Sequence, residues 1–227
     1  MKLKPLFTTA LTLGLLASSA HATIIDYQSG TRFEVQQVIE FSTGADLHGM
    51  NVTACFLDLS CQTVSFNGTL EDPIDGDADV YGAAIGDGWK LSLAGDSFLN
   101  DFVFNTTVAV TKLHLNGASG NTVFDAKYIE SDTASGTPGS QRGAYFTHIS
   151  GIEPTEVVYS NEVWFNGNFY YDLYTSMSIY FGLEGATGEM VFFTDTDQAR
   201  GLQVPAPATL LLMLAGLAAL RQRKSRK

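Results

Sequence analysis

The chain of 227 residues has 24 acidic against 13 basic side chains, a formal net charge of −11 at pH 7. An acidic balance of that size repels nucleic acid, so a nucleic-acid partner is excluded from the reading. With 45% hydrophobic residues there is enough apolar surface for a sizeable core, but the composition shifts sharply at both ends.

At the start, Lys2 and Lys4 precede a short apolar run over 6–17, and Ala20 and Ala22 place small residues where a signal peptidase reads. The run falls well short of the ~20 residues that cross a bilayer. A secretory signal peptide over 1–22, cut before Thr23, is the expectation.

All 24 acidic residues fall in the middle segment, 23–203, against six basic ones, so the exported body stands near −18. No Pro/Ser-rich linker or charge block divides it, and one domain is expected. Its periodicity is that of strands. Phe33, Val35, Ile39 and Phe41 alternate with polar residues, as do Trp89, Leu91 and Leu93. Further strands are expected at 52–57, 63–70, 102–110, 112–115, 122–129, 144–149 and 156–165. A long hairpin follows, with Phe169, Tyr171, Leu173, Met177, Ile179, Phe181 and Leu183 on one face and a return strand over 190–194. Asp87-Gly88, Asn116-Gly117 and Asn166-Gly167 supply turns, and the polar segment 131–142 reads as a mobile loop. The expected fold is all-β: an antiparallel β-sandwich, jelly-roll or Ig-like.

The two cysteines, Cys55 and Cys61, both lie in the exported body, where an oxidising compartment favours a disulfide. Closing so short a loop stabilises by about 2 kcal/mol through chain entropy, enough to pin a turn. Asp75, Asp77 and Asp79 alternate in a Gly-containing loop and could converge on a structural calcium. Val80 stands where an EF-hand needs its turn glycine, so a solvated acidic loop is the preferred reading. Asp195 and Asp197 form a still weaker pair. His48, His114 and His148 are scattered over different elements, and no nucleophile elbow, zinc-binding helix or phosphate loop occurs.

The end of the chain is apolar and uncharged over 208–220, then basic through Arg221, Arg223, Lys224, Arg226 and Lys227. The pattern predicts a single transmembrane helix within 204–227, its basic tail on the cytoplasmic side and the body outside. Val204-Pro205-Ala206-Pro207, the apolar run with Gly216-Leu217 and the basic cluster together resemble the PEP-CTERM sorting signal of exported bacterial proteins. Ala206 stands where that motif commonly has Glu. Gly88-Trp89-Lys90-Leu91-Ser92, Lys112-Leu113-His114-Leu115-Asn116-Gly117 and the stretch from Tyr170 to Asp197 are similar to segments of uncharacterised members of that group. The resemblance implies an exosortase-type processing enzyme as partner and transient anchoring in the inner membrane. Release to the cell surface or an extracellular polysaccharide matrix would follow.

Three functions fit this address. The first is a non-catalytic surface or matrix protein, with no cofactor. The second is a calcium-assisted carbohydrate-binding module, which needs the Asp75 loop to lie close to the aromatics Trp164, Phe165, Phe169, Tyr170, Tyr171 and Tyr174, although core packing and cross-strand pairing are the preferred reading of those rings. The third is a polysaccharide hydrolase with paired carboxylates, which spacing alone does not reveal.

Overall fold

The computed structural model describes residues 23–68, 80–126 and 136–204. The expected signal peptide with Ala20 and Ala22, the calcium loop with Asp75, Asp77 and Asp79, and the sorting segment from Pro205, Ala206 and Pro207 through the apolar run lie outside them. Among the described residues no helix is long and apolar enough to cross a membrane.

Those residues are all-β, with fourteen strands joined by hydrogen bonds into one large, mainly antiparallel sheet. The organising strand is β8 (Phe102–Asn116), which runs unbroken through Thr111 where the sequence pattern predicts two strands. Its first half lies between β7 (Trp89–Ala94) and β13 (Ala186–Phe193), its second between β4 (Asn51–Phe56) and β12 (Asn168–Tyr180). Register shifts on both β4 and β13 fall opposite the middle of β8, where Thr106 Oγ1 bonds the backbone of Val108. Such bulges bend a sheet. Leu91, Phe102, Phe104, Met190 and Phe192 from one half then meet Val52, Leu113, Leu115, Met177 and Ile179 from the other in one core. A sheet turned on itself around a single core is consistent with a β-sandwich.

Two further hairpins complete this part: β5 (Cys61–Ser65) pairs with β4, and β6 (Tyr81–Gly86) with β7. At one edge β10 (Thr147–Gly151) pairs with β13. On the far side of β12 lies β11 (Glu156–Phe165), whose bounds match the sequence expectation. Its other edge takes β1 (Ile24–Gln28) and β2 (Phe33–Val35) in parallel, so the sheet is not purely antiparallel. The last part is built by β9 (Thr122–Asp125), which joins β12 to β14 (Asp195–Arg200), and by β3 (Gln37–Ile39) beyond it. A smaller core of Val35, Val38, Val123, Val163, Leu173 and Ala199 fills this corner.

Several expected alternations fail, each for a local reason. The stretch from Phe33 to Phe41 is two strands with different partners, and the break at Gln36 moves burial from Ile39 to Val38. Phe41 has φ 85° and is exposed. On β12 a bulge between Phe169 and Tyr174 turns Tyr171 outward with φ 62°, and Leu183 lies beyond the strand, fully exposed. The segment 136–142, expected to be a mobile loop, holds Thr137 and Ser140 wholly inside the protein.

Candidate functional site: a buried carboxyl cluster under a strap

Three aspartates meet where β9 and β14 pair. Asp195 lies directly opposite Asp125, and Asp197, two residues along an extended strand, shares their face. All three are buried. They belong to the strands that enclose the small apolar core, an environment that disfavours ionised carboxylates.

What covers them is the strap 136–146. It opens with Thr137-Pro138-Gly139-Ser140, where the Ser140 N–H donates to Thr137 O and Gly139 has φ 92°, the pattern of a type II turn. The strap then joins the sheet through the backbone: Ala144 N–H donates to Asp125 O, and Asp195 N–H donates to Ala144 O. Gly143 is required by contact, because a Cβ there would lie 2.0 Å from Asp125 Cγ.

Side chains fasten the strap at two points. Asp172, turned inward by the β12 bulge, accepts from the Thr137 N–H at 2.5 Å and the Thr137 hydroxyl at 2.9 Å. Ser140 Oγ lies 2.8 Å from Asp125 Oδ2 and makes a second, very short hydrogen bond with Asp197 Oδ2. The other oxygen of Asp197, Oδ1, is buried with no hydrogen-bond partner.

Ser97, on the loop after β7, supports the cluster from the opposite side. Its hydroxyl lies 3.1 Å from Asp195 Oδ1 and accepts from the N–H and hydroxyl of Thr196. A cavity of about 20 Å³, lined by Glu40, Phe41, Phe98, Arg142 and Asp195, adjoins it.

Burial pushes the Asp195 carboxyl up to about 8, with the facing Asp125 adding to the rise. Burial likewise pushes Asp197 up to about 9, helped by Asp195, Asp125 and Glu40. Hydrogen bonding with the Ser97 and Ser140 hydroxyls opposes these rises without cancelling them. Near neutrality both carboxyls therefore hold their protons. A shielded cluster of this kind offers no open position for a substrate, whatever its acid strength.

The remaining candidates fall elsewhere. Cys55 and Cys61 face each other across β4 and β5 and form the disulfide. Open clefts of about 630 and 570 Å³ flank that hairpin, which presents Leu57 and Leu59 to solvent. Trp164 is covered on one face by Arg32, at 3.8 Å, and stacks on Phe169, so it is not a free platform. Tyr174 is buried against Tyr159 and Tyr27. Among the aromatics of this hairpin, Tyr171 is the exposed one, at 72%. The histidines stay apart: His48 accepts weakly from Gly68 N–H, His114 bonds Ser178, and His148 Nε2 is buried without a partner. Among the described residues no group of three His, Cys, Asp or Glu is arranged to hold a metal ion.

The pair Asp195 and Asp197 was visible in the sequence as a weak calcium candidate. Asp125, Asp172, Ser140 and Ser97 were not, since pairing between distant strands brings them in. The one local signal was Thr-Pro-Gly-Ser, which predicts a defined turn inside a segment of loop-like composition. No family model, no curated protein and no solved structure matches this chain.

Proposed function

We propose that this chain is an exported, non-catalytic surface or matrix protein, carrying a PEP-CTERM-like sorting signal and processed by an exosortase-type enzyme at the inner membrane. The observation that carries the export reading is the Cys55–Cys61 disulfide, which sits on a surface hairpin where a reducing cytosol would open it. The ties at the two ends of the described residues agree with that reading. Thr23, at the expected signal-peptidase cut, donates its hydroxyl to Pro154 O. Gln203 closes a two-way backbone bridge with Glu34, and the exposed Val204 follows it. A β-sandwich of jelly-roll or Ig-like type, fastened at both ends, would be released intact by cleavage just beyond Val204.

The non-catalytic part of the reading is supported by the carboxyl cluster. The carboxyls whose acidity is shifted most lie beneath the strap, where a polysaccharide cannot reach them. A second reading, a carbohydrate-binding module, is favoured by the exposed Tyr171 ring lying 4.4 Å from Phe169.

Intact mass of the protein recovered from the cell surface or medium, beside a variant with Pro205 and Pro207 replaced by alanine, tests the proposal. The expected product starts at Thr23 and lacks the apolar and basic tail, and the variant retains that tail in the membrane fraction. An intact tail in both would overturn the sorting reading. Glycan retention lost in Tyr171→Ala would replace the first reading with the second.

A further inference from the structure

The Ser140 hydroxyl has one hydrogen, yet its oxygen is hydrogen-bonded to two carboxyl groups, Asp125 Oδ2 and Asp197 Oδ2. A serine can donate to only one of them and accept from a protonated group. One carboxyl must therefore carry the hydrogen of the other bond. The surroundings choose between the two. Asp197 is wholly buried, and its Oδ1 has no donor to compensate a negative charge, which an ionised carboxylate inside a protein needs.

We propose that the strap 136–146 is held by a proton latch, in which Asp197 is a carboxylic acid donating through Oδ2 to Ser140 Oγ while Ser140 donates to Asp125, and that loss of this proton releases the strap. The groups around Asp197 make the outcome one-directional. Asp195 on its own strand, Asp125 on β9 and Glu40 beyond β3 are all acidic, and Arg142 on the strap is the cation lining the adjoining cavity. Deprotonation leaves Ser140 with one hydrogen for two carboxyl groups and sets a negative charge among acidic neighbours beneath the turn. The least costly relief is to lift the turn around Ser140 and admit water, because the three aspartates are fixed by strand pairing and that turn is held by side chains, whereas Ala144 stays tied to Asp125 and Asp195 through the backbone. The attachment through Thr137 and Asp172 acts as the hinge. With Asp197 raised to about 9 while the strap is closed and back in the ordinary carboxylate range once it is open, opening is favoured progressively as pH rises up to about 9 and no further beyond it.

Amide hydrogen exchange of residues 137–146, read as protection factors between about pH 6 and 10, tests this on the full folded body. Carboxyl ¹³C shifts of the aspartates would be followed in the same samples. Strap protection is expected to fall about tenfold per pH unit from about pH 6 up to about pH 9 and to level off above that, with the central strand β12 unaffected. In Asp197→Asn, where the amide still donates to Ser140 but has no proton to lose, this fall with pH is expected to disappear. In Ser140→Ala, strap protection is expected to be lower at about pH 6 while β12 stays protected, which separates a missing latch from a misfolded protein. An Asp197 carboxyl that ionises below about pH 5, or the same fall with pH retained in Asp197→Asn, would overturn the proposal.

Discussion

Asp172 and Thr137 are 35 residues apart in sequence and are joined twice, the Thr137 N–H and hydroxyl both donating to the one buried carboxylate. The price of this bond is visible next door. For Asp172 to point inward, β12 bulges and Tyr171 takes a left-handed backbone conformation that aromatic residues seldom adopt. The first prediction follows from the buried bonds. Asp172→Ala leaves two strap donors unpaired and is expected to cost about 3 kcal/mol, with Asp172→Asn costing less because one acceptor oxygen remains. Urea denaturation gives the size, and limited trypsin digestion the location. Cleavage after Arg142 should accelerate in Asp172→Ala before other sites are affected.

The fold class was legible because strand periodicity survives wherever one face is buried, as in β11, whose bounds the sequence predicts residue for residue. It failed where a strand changes partner or bulges. Ile39 and Phe41 continue the alternation of Phe33 and Val35 on paper, but a break at Gln36 hands β3 to β14 and reverses the faces. The carboxyl cluster was half legible. Asp195 and Asp197 stand out at i and i+2, whereas Asp125 joins them only through long-range register, which no local pattern encodes. The strap differs from its sequence expectation because Gly, Ser, Thr and Pro mark a solvated loop and a tightly turned buried one alike. The acceptors that decide between them, Asp172 and Asp125, lie on other strands.

The disulfide hairpin is pinned a second time. Gln62 Oε1 accepts from Trp89 Nε1 and Asp87 N–H, both at 2.8 Å, and its Nε2 donates to Asp87 Oδ2. Replacing Cys55 and Cys61 together by alanine should therefore cost about 2 kcal/mol, the chain-entropy value for a short loop, without loss of the fold. Thermal melts of the double variant, with and without Gln62→Ala, check this. A double variant that no longer melts cooperatively would mean that the disulfide does more than close the turn.

Leu59 occupies the turn position that hairpins reserve for glycine or asparagine. It has φ 66°, its N–H donates to Phe56 O, and its side chain is 91% exposed. A leucine held left-handed with nothing to pack against costs about 1 kcal/mol relative to glycine. Leu59→Gly is thus expected to stabilise the protein by roughly 0.5–1 kcal/mol, and Leu59→Ala, which keeps the Cβ, by nothing measurable. Urea midpoints with the disulfide intact decide it. An equal gain in both variants would locate the cost in exposed apolar surface and not in the backbone.

The pH dependence of stability should run opposite to ordinary acid denaturation over part of the range. Asp195 titrates at about 8 in the folded protein against an ordinary value of 3.8, so between those limits the folded state holds a proton that the unfolded state has lost. The stability linked to this group is fully present below about pH 4, falls as pH rises, and is gone above about pH 8. The slope approaches roughly 1.4 kcal/mol per pH unit in mid-window. Asp195→Asn cannot ionise and removes that slope. It also relieves Asp197 of a neighbouring charge, so the variant should be less sensitive still to pH. Urea midpoints of both proteins at about pH 5, 6.5 and 8 should converge as pH rises, the wild type losing its advantage. Parallel lines would mean that Asp195 is already ionised at pH 5, and that Ser97 and the Thr196 N–H, its two donors, outweigh its burial.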